Sequence, residues 1–146
     1  MRKIKFGVVG GGGAFYFHAN GIRGSEILEY TAIYDINYEN AKRMAQKYKN
    51  NPMTAYEKLD DMLDSDIDAV LVMVPHVYHD NIVVQCAEKG KHVLCEKPMA
   101  KDPAGAQAML DAANFIEAVQ TRQWLYVACL EEIAYRNGFI DKAQLL

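Results

Sequence analysis

Through residue 101, short apolar runs alternate with stretches whose apolar positions recur at helical spacing. Lys3 to Val9, Glu29 to Asp35, Met53 to Tyr56, Ala69 to Val74 and His92 to Cys95 read as strands. Between them, Ala14 to Arg23, Asn37 to Tyr48, Glu57 to Leu63 and Asp80 to Lys89 read as helices. In the helix over 37–48, Ala41, Met44, Ala45 and Tyr48 fall on one stripe. Ala69 to Val74 has no polar alternation, which predicts a central parallel strand covered on both faces, ended by Pro75. Strand following helix following strand predicts an α/β fold: a doubly wound parallel sheet with right-handed crossovers.

After Pro98 the pattern changes. Pro103 to Gln120 is one long helical stretch, with Ala106, Met109, Leu110, Ala113, Ile116 and Val119 at helical spacing. Trp124 to Leu130 reads as a strand, and Glu131 to Asn137 as a short helix stopped by Gly138. We expect one domain over residues 1–146, with 102–146 supplying a helix, a strand and a helix that complete the sheet. An edge strand carrying Leu125, Tyr126 and Val127 would invite pairing with a second copy, so a homo-oligomer through the sheet edge or the C-terminal segment is expected.

The chemistry begins at Gly10-Gly11-Gly12-Gly13, between the first strand and the first helix. Glycines there let the backbone come close to a pyrophosphate, held by free N–H groups at the positive end of the helix. Gly10 and Gly12 fill the first two positions of G-x-G-x-x-G, and Gly13 and Ala14 take up slack where the third glycine is replaced by Phe15. A phenylalanine there should either push the helix off the strand or swing its ring; we expect contact with the neighbouring strand or with a cofactor edge. A glycine-rich turn with no ligand is the bland alternative. Asp35 ends the second strand, where an acidic residue would accept hydrogen bonds from the ribose hydroxyls of a dinucleotide. It could instead cap the following helix, a task Asn37 could equally perform. Neither Ile36 nor Asn37 is cationic, which favours NAD over NADP.

His76, His79, His92 and Cys95 are ligand types for zinc, but no tight second pair brackets them, and no metal is expected. Histidines at strand ends lining a cofactor cleft are the more ordinary reading.

Residues 1 to about 101 resemble the nucleotide-binding domain of the Gfo/Idh/MocA oxidoreductases. The resemblance rests on the glycine loop with His18 downstream, on Tyr34-Asp35, and on Asp68-Ala69-Val70 leading to Pro75-His76-Val77-Tyr78-His79. Its most specific stretch is Gly90-Lys91-His92-Val93-Leu94-Cys95-Glu96-Lys97-Pro98. It implies a Rossmann domain that binds NAD(P), with Lys97 at the substrate hydroxyl near the nicotinamide and Glu96 by the nicotinamide ribose. Pro75, His76 and His79 would flank the same region. From the residues alone, Lys97 could as well be a surface lysine.

The family's second α/β domain, which supplies most of the substrate pocket and an acid–base partner, finds no match after Met99. Residues 112–141, with the run Cys129-Leu130-Glu131-Glu132-Ile133-Ala134-Tyr135-Arg136-Asn137-Gly138, instead resemble the C-terminal segment of glucose-1-phosphate thymidylyltransferases. The Gly-Thr-Arg loop of that enzyme is absent, so nucleotidyl transfer is not expected. The expectation is therefore a truncated oxidoreductase domain for sugar or nucleotide-sugar substrates, weakly active or inactive alone. The competing reading is a non-enzymatic oligomeric or regulatory module in nucleotide-sugar metabolism.

Composition sets the remaining bounds. Of 146 residues 51% are hydrophobic and 24% charged, an ordinary globular balance with room for one core. A net charge of −3 offers nothing for nucleic acid or an anionic membrane. No apolar run approaches a bilayer span, and Met1-Arg2-Lys3-Ile4 lacks a signal-peptide pattern. Three scattered cysteines, Cys86, Cys95 and Cys129, suit a reducing cytoplasm better than a disulfide framework.

Overall fold

The computed structural model describes residues 2–21, 24–48 and 52–123, and the side chains of these as far as residue 115. In chain order the elements are β1 (Ile4–Val9), α1 (Gly13–Gly21), β2 (Leu28–Tyr34), α2 (Tyr38–Lys47), β3 (Thr54–Tyr56) and α3 (Leu59–Leu63). Then come β4 (Ala69–Val72), a 3-10 turn (His76–Tyr78), α4 (His79–Glu88), β5 (His92–Cys95) and α5 (Pro103–Gln123). The five strands form one parallel sheet in the order β3-β2-β1-β4-β5. The predicted doubly wound sheet is thus the observed one, and the strand order reverses between β1 and β4.

The core has two layers, one on each face of the sheet. Val8 and Leu71 point to one face, where they meet Phe15 and Ala19 of α1 and Ala41, Met44 and Ala45 of α2. Val9, Val70 and Val72 point to the other, against Met62 and Leu63 of α3, Val83 and Cys86 of α4 and Met109 of α5. Every residue of β4 is buried, the burial expected of an apolar run without alternation. The α2 stripe faces inward as its spacing predicts, and Asn37 provides the cap: its Oδ1 accepts from the N–H groups of Glu39 and Asn40.

α5 contains the whole helical stretch expected at 103–120. Asp102 accepts the Gly105 N–H at 2.8 Å, Pro103 occupies the first turn, and Met109 is buried. Leu110 and Ala113, of the same apolar pattern, are exposed. The start of α5 lies on the α4 layer. The strand expected at 124–130 and the helix at 131–137 lie outside the described residues.

Candidate functional site

Register brings the chemistry together. Val9 pairs with Tyr34 and with Val72, and Val72 pairs with Cys95, so four strands end at one level. The next residues continue the ladder: Gly10 N–H donates to Tyr34 O, Met73 N–H to Val9 O and Glu96 N–H to Val72 O, all within 3.0 Å. Gly10, Asp35, Met73 and Glu96 therefore sit along one edge, at the carboxyl ends of the strands and beside the order reversal. In open parallel sheets this is where ligands bind.

The glycine loop is closed on one side and open on the other. Gly10 has φ +99°, and a Cβ there would stand 2.8 Å from Met73 O. A Cβ on Gly11 would press on Asn40 and Met44 of α2. At Gly12 and Gly13 a Cβ would meet nothing within 4 Å. The loop is thus packed onto the sheet through its first two glycines, while the next two face open space at the N-terminus of α1. That open backbone, at the positive end of a helix of nine residues, fits an anionic group. Ala14 is exposed on the same turn. Phe15 points the other way. Its ring is fully buried and packs edge-on against Tyr30 of β2 and Tyr48, with centroids 5.3 and 5.2 Å away. Contact with the neighbouring strand was one of the two outcomes expected for it; the ring belongs to the core, and only the backbone of Phe15 adjoins the open loop.

Asp35 ties the loop to α2. Its Oδ2 accepts from Gly11 N–H at 2.8 Å and from Asn40 Nδ2 at 2.7 Å, and its Oδ1 accepts from Asn37 N–H at 2.9 Å. Asn40 also reaches Gly11 O at 3.3 Å, and Arg43 donates to Asn40 Oδ1 at 2.6 Å. A carboxylate accepts about four hydrogen bonds, so one position on Oδ1 remains for an incoming hydroxyl. Ile36 is 95% exposed at the rim. Sequence reasoning missed Asn40; its only trace was an asparagine, a weak helix former, inside the first turn of α2.

The other end of the edge carries Glu96-Lys97-Pro98. The side chain of Lys97 is exposed, and its ammonium makes no hydrogen bond to another described residue. Glu96 Oε1 lies 2.5 Å from His18 Nε2 of α1, and Glu96 Oε2 accepts the Lys97 N–H. The His18 bond, then the Lys97 N–H, hold the Glu96 carboxyl below the usual range. Pro75 and His76 are exposed where the chain leaves β4. His79 is buried: Nε2 lies 2.8 Å from Val74 O and Nδ1 2.9 Å from Pro98 O. Its ring is occupied by backbone, so its contribution to the edge runs through the two loops it joins.

The zinc alternative meets a geometric obstacle. His92 starts β5 and Cys95 ends it, so the two occupy opposite ends of the strand. Among the described residues no three His, Cys, Asp or Glu side chains gather as a ligand set, and no helix is long and apolar enough to cross a membrane.

Residues 4–120 match the family model of the GFO_IDH_MocA oxidoreductases, described by an NAD-binding Rossmann fold. The chain belongs to this family. The match runs through most of α5, further than the motifs ending at Met99 indicated. Glucose-6-phosphate 3-dehydrogenase of Bacillus subtilis is 33% identical over 114 residues, 78% of this chain and 31% of that protein. Among solved structures, the WlbA dehydrogenase of Chromobacterium violaceum, in complex with NADH and UDP-GlcNAcA, superposes with a TM-score of 0.73 at 28% identity. That likeness covers 80% of this chain and 34% of WlbA. KijD10, a 3-ketoreductase from Actinomadura kijaniata in complex with NADP and TDP-benzene, superposes with a TM-score of 0.72 at 27% identity, over 79% of this chain and 35% of KijD10. The chain thus spans about a third of the length of these relatives.

Proposed function

We propose that this chain is the dinucleotide-holding domain of an NAD(P)-dependent oxidoreductase acting on sugar or nucleotide-sugar substrates. The observation that carries the reading is the one-sided glycine loop: packed through Gly10 and Gly11, open at Gly12 and Gly13, at the head of α1 and beside Asp35. The backbone of Gly12, Gly13 and Ala14 would hold the pyrophosphate, with the Phe15 N–H, which donates to Gly12 O, shaping the turn, and Asp35, with Ile36 over it, the adenosine ribose. Pro75, His76, His79 and Glu96 would surround the nicotinamide end. When bound, a nicotinamide dinucleotide supplies the hydride donor or acceptor. Lys97, the catalytic candidate, would hydrogen-bond the substrate oxygen and hold or release its proton. NAD is favoured because no cation follows Asp35 at positions 36 and 37.

The second domain that the family resemblance implies would lie in the two thirds of the relatives' length not matched here. Alone the chain is weakly active or inactive in this reading, because Lys97 lies on an exposed edge that gives a substrate little desolvation or positioning. It works in a reducing cytoplasm, as a homo-oligomer. Among the described residues β5 is the outermost strand on its side of the sheet, and Leu94 on it is 54% exposed, which supports a partner there. The resemblance of the C-terminal segment to thymidylyltransferases supports a role in nucleotide-sugar metabolism in this reading.

Titration with NAD+, NADH, NADP+ and NADPH, followed by calorimetry and thermal shift, tests this. A single site at 100 times its Kd adds about 2.7 kcal/mol of stability. Binding of NADH with loss of sugar-dependent turnover in Lys97→Ala would support the oxidoreductase. No response to any dinucleotide would reject it in favour of a non-enzymatic module.

A further inference from the structure

Lys97 has an anchored neighbour on each side. Before it, the Glu96 carboxylate meets His18, 78 positions earlier in the chain. After it, the Pro98 carbonyl meets His79. The two histidines come from opposite faces of the sheet: α1 packs with the layer of Val8 and Phe15, α4 with that of Val9 and Cys86. Each also reaches back to another part of the site. His18 sits on the helix that the glycine loop opens, five residues after Gly13. His79 holds Val74 O, the residue before Pro75.

His79 is 1% exposed, and both its nitrogens face carbonyl oxygens. A neutral imidazole donates through one nitrogen, an imidazolium through both. Leaving such a ring unbonded in the interior is costly, so the ring, donating to at least one of the two carbonyls and packed against the other, ties the two loops together. The loop carrying Lys97 is otherwise exposed, and an exposed loop has little packing to fix it.

We propose, on the basis of the dinucleotide reading above, that His18 and His79 are positioning residues that clamp the Lys97 loop and so build the nicotinamide end of the site. Neither histidine hydrogen-bonds the glycine loop, Asp35 or Asn40, on which the adenosine end rests. A ligand confined to the adenosine half is therefore indifferent to it, and one that spans the edge is not.

The test compares ADP with NADH on the full chain by calorimetry, with melting temperature recorded for each variant. For His18→Ala and for His79→Gln, NADH affinity should fall about tenfold, the equivalent of 1.4 kcal/mol, while ADP affinity stays within about twofold. His18→Gln keeps a donor toward Glu96 and should recover most of the NADH affinity. His18 is only partly buried, so its variants remain informative if His79→Gln does not fold. Parallel loss of ADP and NADH, or unchanged NADH affinity in His18→Ala, would overturn the clamp. A wild-type chain that binds neither ligand would overturn the dinucleotide reading itself, and the clamp with it.

Discussion

The carbonyl oxygen of Met73 stands 2.8 Å from the point where a side chain on Gly10 would begin. The end of β4's run is therefore sealed against the start of the glycine loop, and Gly10 holds φ +99° to allow it. An alanine would suffer both the backbone conformation and the contact. Gly10→Ala is expected to lower stability by about 2–4 kcal/mol in urea unfolding. A loss under about 0.5 kcal/mol would mean that the loop is not packed this way.

Gly12 offers the opposite case. A methyl group there meets nothing within 4 Å. Gly12→Ala should leave the melting temperature nearly unchanged, within about 0.5 kcal/mol of stability. Dinucleotide affinity should fall about tenfold or more, since the added methyl stands where the pyrophosphate approaches the backbone. Unchanged affinity in calorimetry would return the loop to a simple turn.

Asp35 joins three donors from two elements. Removing its carboxylate strands the Gly11 N–H and the Asn40 amide where α2 meets the loop. Asp35→Ala is expected to cost about 2 kcal/mol, the range for hydrogen bonds to a charged group. Asn40→Ala should cost less, about 1 kcal/mol. Chemical denaturation of the two variants checks the order; an equal or reversed order would contradict the network.

Burial pushes the Cys86 thiol up to about 12 and the Cys95 thiol up to about 11. The thiolate is the reactive form, so both should alkylate slowly at pH 8 in the folded protein and rapidly once unfolded. Peptide mapping after iodoacetamide treatment separates them from Cys129. The linked stability runs in a definite direction. A folded value above the unfolded value, about 8.5, gives stability that is complete below pH 8.5 and is lost as pH rises toward the folded values. Denaturation midpoints that hold steady from pH 8 to pH 10.5 would contradict this.

Much of the fold was legible because it rests on periodicity. The uninterrupted apolar run at 69–74 announced a strand covered on both faces, and β4 is buried throughout. The stripe at Ala41, Met44 and Ala45 announced the inner face of α2. Helical spacing announced α5 as well, but periodicity says which positions share a face and not whether another element covers that face: Met109 is buried and Leu110 exposed. In the chain Phe15 stands as a departure from the glycine pattern; its place between Tyr30 and Tyr48, distant in the chain, follows only from tertiary packing.

By itself, then, the amino-acid order determined the elements, their alternation and the family, because these follow from local spacing and from contiguous motifs such as Gly10–Gly13 and Glu96-Lys97-Pro98. Tertiary structure alone decided the pairings across the chain. Asn40 came to Asp35 and Gly11, His18 came to Glu96, and His79 came to Val74 and Pro98. The physical reason is that these side chains lie on helices, and the packing of the helices onto the sheet brings them to the same edge as residues far away in the chain. Contiguous motifs do not record such long-range packing.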